Sequence, residues 1–338
     1  MLARWIHQKE IALSSRDTNR RIRPFEWGVE FLDIEPLEGE GEGATVARFV
    51  ERALADSESY YAAPPLGEHT FDGEWLRFES AVRTRWARNN VVTARYIPSS
   101  RSRRAVIILP QWNADAESHV ALGRLLARSG ISALRLSLPY HDARMPEELE
   151  RSDYMVSSNV GRTLQACRQA VLDVRQCVDW LESRGYQAIG LTGTSIGSCV
   201  GFLAYAHEAR LRAGVFNHVS SYFADVVWTG ISTRHVRESF EGSVDLEELR
   251  RAWLPISPNA FVHRLRDEAP PRPRLMITAR YDLTFLPYLA EWVFDEFRRH
   301  NVAVDRAVLR CGHYTSGQFP FNYQLGYLVT SYLRRGLA

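Results

Sequence analysis

Residues 188–201, AIGLTGTSIGSCVG, constrain what this chain can fold into more than any other stretch. Ala188–Leu191 is a short apolar run, the pattern of a buried strand. Gly193-Thr194-Ser195-Ile196-Gly197 follows, and after it a helical run of small and apolar residues. A strand that turns sharply into a helix at a serine forces that serine into a strained backbone conformation, and glycines two positions away relieve the crowding. The hydroxyl is then held above the sheet edge, close to backbone N–H groups and the positive end of the helix dipole. Gly193, Gly197 and Gly201 stand at four-residue spacing, so one face of the helix is bare and can approach the sheet closely. The alternative is a tight strand–helix turn that does no chemistry, and the strand–turn–helix context favours the catalytic reading over it.

The rest of the chain supplies the context. Ala105–Leu109 is a continuous apolar run, the mark of a strand buried on both faces. Strands are also expected at Trp75–Ser80, Val91–Ile97, Ile131–Leu138, Arg212–Asn217, Arg274–Ala279 and Ala303–Leu309, with helices at 117–128, 161–184, 285–300 and 320–335. Strands alternating with helices of this length predict a mostly parallel sheet covered on both faces, with ligands bound at the C-terminal strand ends. Residues 218–272 break the alternation. They are rich in aromatics and bounded by prolines, and with the 139–160 loop they are expected to form a cap over Ser195. Residues 1–73 read as a helical and acidic N-terminal extension, and residues 74–338 as the domain that carries the site. Leu2, Trp5, Ile6 and Leu13 lie at roughly helical spacing. A helix packed on the domain's own flank is favoured over one lying on a membrane surface.

A serine needs a base, and the base needs a group that fixes its tautomer and stabilises its charged form. His313 follows the strand ending at Leu309, in Cys311-Gly312-His313. Asp282 follows the strand ending at Ala279, in Arg280-Tyr281-Asp282. Ser195, Asp282 and His313 thus each stand directly after a strand, in the order Ser…Asp…His. His141, His218 and His300 compete for the role of base. His218 follows a strand but lies upstream of the acid, so a place in the pocket suits it better.

With these motifs the chain resembles the α/β-hydrolase superfamily, on the side of the dienelactone hydrolases and acyl-peptidases. The similarity rests on Gly-Thr-Ser-Ile-Gly at 193–197, Ala-Arg-Tyr-Asp at 279–282 and Cys-Gly-His at 311–313, and extends from about Glu74 to the C-terminus. It implies a mostly parallel eight-stranded sheet with helices on both faces, acyl-enzyme chemistry and no cofactor. Such enzymes often carry His-Gly after the third strand, where this chain reads Pro110-Gln111-Trp112. By that correspondence the oxyanion donors are the N–H groups of Ile196 and Trp112, with Gln111 as the alternative to Trp112. Pro110 has no N–H to offer.

Composition narrows the field. A formal charge of +2 with scattered arginines gives no sign of a nucleic-acid partner. The four cysteines, Cys167, Cys177, Cys199 and Cys311, show no metal-ligand spacing and fit reduced thiols in a cytoplasmic protein. The expected activity is cleavage of a small-molecule carboxylic ester with an apolar acyl or aryl group. Gln111, His218, Tyr222 and Trp228 are expected in the pocket. A thioesterase or acyltransferase would use the same triad, and a non-catalytic binding module of the same fold is the alternative from another class. No metal site is expected, and the sequence leaves the oligomeric state open.

Overall fold

A computed structural model describes residues 2–100 and 103–338. Its centre is one nine-stranded sheet. The strands are β1 (His69–Phe71), β2 (Trp75–Glu79), β3 (Val91–Ile97), β4 (Arg104–Leu109), β5 (Ser132–Leu136), β6 (Ala188–Thr194), β7 (Leu211–Asn217), β8 (Arg274–Ala279) and β9 (Asp305–Leu309). They lie in the order β1-β2-β3-β5-β4-β6-β7-β8-β9. The pairings among β4 to β9 are parallel, and β1 to β3 add on antiparallel. The sheet therefore has one strand more than the expected eight. The extra strand is β1, three residues long and too short for alternation to be visible in the sequence.

The helices are α1 (Leu2–Ser14), α2 (Glu42–Ala55), α3 (Ser57–Tyr60), α4 (Val120–Arg128), α5 (Val160–Ser183), α6 (Ile196–His207), α7 (Phe223–Thr229), α8 (Arg234–Glu238), α9 (Leu246–Ala252), α10 (Pro287–Arg299) and α11 (Phe321–Gly336). Ala105 to Leu109 are all fully buried, as the unbroken apolar run of β4 requires. Every residue of α6 is buried too, which explains why that helix is apolar all round rather than striped. Val46, Phe49, Val50 and Ala53 of α2 join the same core as α5, α6 and the sheet. The N-terminal extension thus packs on the core that supports Ser195. Among the described residues no helix is long and apolar enough to cross a membrane.

The segment after β7 folds into α7, α8, α9 and short 3-10 turns at 254–256 and 258–265. Its large aromatics Phe240, Trp253 and Phe261 are 0–1% exposed and join the main core with α5, α6 and the sheet. α1 departs from expectation in another way. Its buried residues are Ile6, Glu10 and Ser14, spaced by four, while Leu2 and Trp5 face outward. The inward stripe of this helix therefore carries a carboxyl group.

Candidate active site

The turn from β6 into α6 has the geometry that its glycines predict. Ser195 sits at φ 58°, ψ −123°, in the left-handed half of the map where a non-glycine residue is strained. A Cβ on Gly193 would lie 2.1 Å from Gly197 O, and one on Gly197 would lie 2.4 Å from both Leu109 O and Pro110 O. No side chain fits at either place. The same closeness brings the first turn of α6 against the loop that leaves β4. Ser195 N–H donates to Asn217 O at 2.8 Å, and Ser198 Oγ donates to Ser195 O at 2.7 Å, so the strained backbone is held from two sides.

Sheet order explains the surrounding residues. β6, β7, β8 and β9 are successive neighbours, and Ser195, His218, Asp282 and His313 follow their C-terminal ends in that order. Asp282 is 1% exposed. Its Oδ1 accepts the Thr284 and Phe285 N–H groups, both at 2.8 Å. Its Oδ2 faces two imidazoles: His218 Nδ1 at 2.8 Å and His313 Nδ1 at 3.3 Å. The rings of the two histidines are 4.4 Å apart, and Phe285 stacks flat on His313 at 5.2 Å. Burial alone would raise the Asp282 carboxyl. The His313 charge and the hydrogen bonds from both imidazoles outweigh burial and hold it well below the usual carboxylate range. Burial and the His313 charge press His218 below its ordinary value, against the pull of Asp282. A neutral His218 then donates through Nδ1 to Asp282, and its Nε2 meets Ser316 Oγ at 3.0 Å.

Ser195 and His313 line one cavity of about 340 Å³, together with Gln111, Trp112, Asn217 and Arg151. Ser195 Oγ makes no hydrogen bond among the described residues, and neither does His313 Nε2. Ser195 also borders a narrow apolar pocket of about 40 Å³, walled by Val156, Ile196, Cys199, Phe223, Val227 and Phe285. A wider cavity of about 540 Å³ lies elsewhere, along α2 and residues 81–83, and contains none of these groups.

The N–H groups of Ile196 and Trp112 have no partner among the described residues, and both residues border the Ser195 pocket. The loop that carries Trp112 is pinned by His141. Asn113 N–H donates to His141 Nε2 at 3.1 Å, and His141 Nδ1 donates to Pro139 O at 2.8 Å. That pairing requires the neutral ring, and burial accordingly pulls the His141 pKa down to about 3. His141 is thereby committed to structure. His300 bonds Glu296 at the end of α10.

Three expected pocket residues are corrected. His218 lies behind Asp282, and neither cavity at Ser195 has it, Tyr222 or Trp228 in its wall. On α7 the face turned to Ser195 holds Phe223, Val226 and Val227, an i, i+3, i+4 set. Tyr222 lies under the Arg250 guanidinium, and Trp228 packs with Phe240 and Arg237. Gln111 borders the cavity that Ser195 and His313 share.

His218, Asp282 and His313 also present three ligand atoms within 4.8 Å of one another, the only such grouping found among the described residues. Both Nδ1 atoms there point at the Asp282 carboxylate, and hydrogen bonding accounts for the arrangement without an ion. All four cysteines are buried and unpaired.

The fold has counterparts among solved structures. Acetyl xylan esterase 1 from Thermoanaerobacterium sp. JW/SL YS485 superposes with a TM-score of 0.59 at 14% identity, over 87% of this chain and 94% of that one. An esterase from Pyrococcus furiosus gives 0.54 at 16% identity, over 82% and 98%. This chain has the α/β-hydrolase fold. The Pyrococcus horikoshii acylaminoacyl peptidase gives a TM-score of 0.57 at 13% identity over 83% of this chain, which spans less than half (44%) of that peptidase. A sequence family described as alpha/beta hydrolase domain containing 18 matches residues 84–249, a stretch that includes Ser195 and stops short of Asp282 and His313. No curated protein matches the sequence.

Proposed function

We propose that this α/β-hydrolase-fold protein is a serine hydrolase of carboxylic esters. The observation that carries the reading is that Ser195, strained and with its Oγ free of hydrogen bonds, shares a cavity with His313, whose Nδ1 is held by Asp282. His313 takes the Ser195 proton through Nε2 as Oγ attacks the ester carbonyl. Asp282 keeps the Nδ1–H tautomer and stabilises the imidazolium. The oxyanion is met by the free N–H groups of Ile196, at the positive end of α6, and Trp112, each worth about 3 kcal/mol of barrier. His313 then protonates the leaving alcohol, and water repeats the sequence on the acyl-enzyme.

The two spaces beside Ser195 suggest how the ester lies. The apolar pocket of about 40 Å³ has room for roughly three waters at about 10–15 Å³ each, which suits a short acyl chain. The wider cavity, with Gln111, Asn113, Arg151 and Asn217 in its wall, suits a polar alcohol. Both polar atoms of the Asn217 amide are buried without a protein partner. A panel of esters varied separately in acyl length and alcohol polarity tests this. The reading expects kcat/KM to fall as the acyl chain lengthens, to rise with alcohol polarity, and to vanish in Ser195→Ala. Activity that survives in Ser195→Ala would overturn it.

A further inference from the structure

The inward stripe of α1 meets the loop that carries His313. Glu10 is fully buried, at 0% exposure, and among the described residues it has no cationic partner. Its two oxygens serve the backbone directly after His313. Oε2 accepts Tyr314 N–H at 2.9 Å and Oε1 accepts Thr315 N–H at 2.7 Å. The loop closes around the same point. Gly312 N–H donates to Thr315 Oγ1 at 2.8 Å, and Ser316 Oγ lies 2.6 Å from His313 O. Gly312 leaves the room that Glu10 occupies, since a Cβ there would lie 2.4 Å from Glu10 Cδ.

A carboxyl group is an expensive way to anchor a helix. Burying it without a cation is costly unless hydrogen bonds compensate, and an apolar side chain at the same position would anchor α1 at lower cost. What only a two-oxygen acceptor provides is a simultaneous grip on two adjacent N–H groups. Those groups belong to the residues that fix where the His313 ring stands. The Asp282 bond is long at 3.3 Å, so the ring depends on its loop for orientation as well.

We infer that Glu10 is a positioning residue for His313, reaching the site from the N-terminal helix about three hundred residues away in sequence. It holds the loop so that Nε2 is presented to Ser195, and it touches no substrate, because it lies outside the walls of both cavities at Ser195. The inference rests on the reading of Ser195 and His313 as nucleophile and base.

The test compares wild type, Glu10→Gln and Ile6→Ala in the full chain. The Gln variant keeps the shape but turns an NH2 group toward one of the two N–H donors. The Ala variant weakens the docking of the same helix and leaves the Glu10 carboxylate in place. Each is measured for thermal midpoint, rate of covalent labelling by a fluorophosphonate, and kcat and KM on the best ester. Glu10→Gln is expected to lose about tenfold to a hundredfold in both labelling rate and kcat with KM unchanged, the size of effect that follows a displacement of about 1 Å. Ile6→Ala is expected to lower the midpoint while keeping the labelling rate. Equal labelling of wild type and Glu10→Gln overturns the inference, and so do losses in both variants that merely track the midpoint. Should Glu10→Gln fail to fold, Glu10→Asp takes its place, since it withdraws both oxygens by one methylene. Wild type that takes no label at all fails the hydrolase reading itself, a result distinct from the others.

Discussion

Replacing His141 by Phe should cost stability in a way that depends on pH. The ring is fully buried, accepts Asn113 N–H and donates to Pro139 O. Phe keeps most of the shape and orphans both groups, at about 1–3 kcal/mol each, or about 2–6 kcal/mol in total near neutrality. The wild-type ring carries its own acid penalty. Its folded pKa is about 3, against an ordinary value of 6.5. Above pH 6.5 neither state binds the proton, and stability is unaffected. Below it the unfolded chain takes up a proton that the folded ring refuses, so stability falls by about 1.4 kcal/mol per pH unit down to the folded value. By about pH 5 the wild type has lost about 2 kcal/mol through this residue, and the variant has nothing there to lose. The gap between the two proteins should therefore narrow by about 2 kcal/mol between neutral pH and about pH 5. Urea unfolding followed by tryptophan fluorescence measures it. A gap that stays constant across that range would refute the assignment of a neutral, doubly bonded His141.

Two further substitutions probe the interior. Asp282→Asn should cut turnover by about 10⁴-fold and also lower the thermal midpoint, because one amide oxygen cannot serve two imidazoles and two backbone N–H groups together. Turnover near wild type would remove Asp282 from the site. Arg144→Ala should cost about 3–5 kcal/mol, since it strands the fully buried Asp173, whereas replacing both partners by apolar residues should recover most of the loss. A double variant no more stable than the single one would contradict that account.

The parallel core was readable because apolar runs such as Ala105–Leu109 are local signals. The turn at Ser195 was readable for the same reason. His218 was not, because its place depends on β7 lying between β6 and β8, and sheet order is written nowhere along the chain. The face of α7 was not legible, because the size of Tyr222 and Trp228 does not determine which side of a short helix turns inward, and the smaller Val226 and Val227 face Ser195. Glu10 left a trace in the spacing of Ile6, Glu10 and Ser14, but a buried acid in a helix reads in sequence as a solvated one. Only the fold brings it beside Tyr314 and Thr315.

The central claim is that Ser195 is an activated nucleophile with His313 as its base. Intact mass and peptide mapping after exposure to a fluorophosphonate, for wild type, Ser195→Ala and His313→Ala, test it most directly. The account predicts a single adduct on wild type, mapped to Ser195, none on Ser195→Ala, and labelling slowed by several orders of magnitude on His313→Ala. An adduct on another residue, or undiminished labelling of Ser195 without His313, would contradict it.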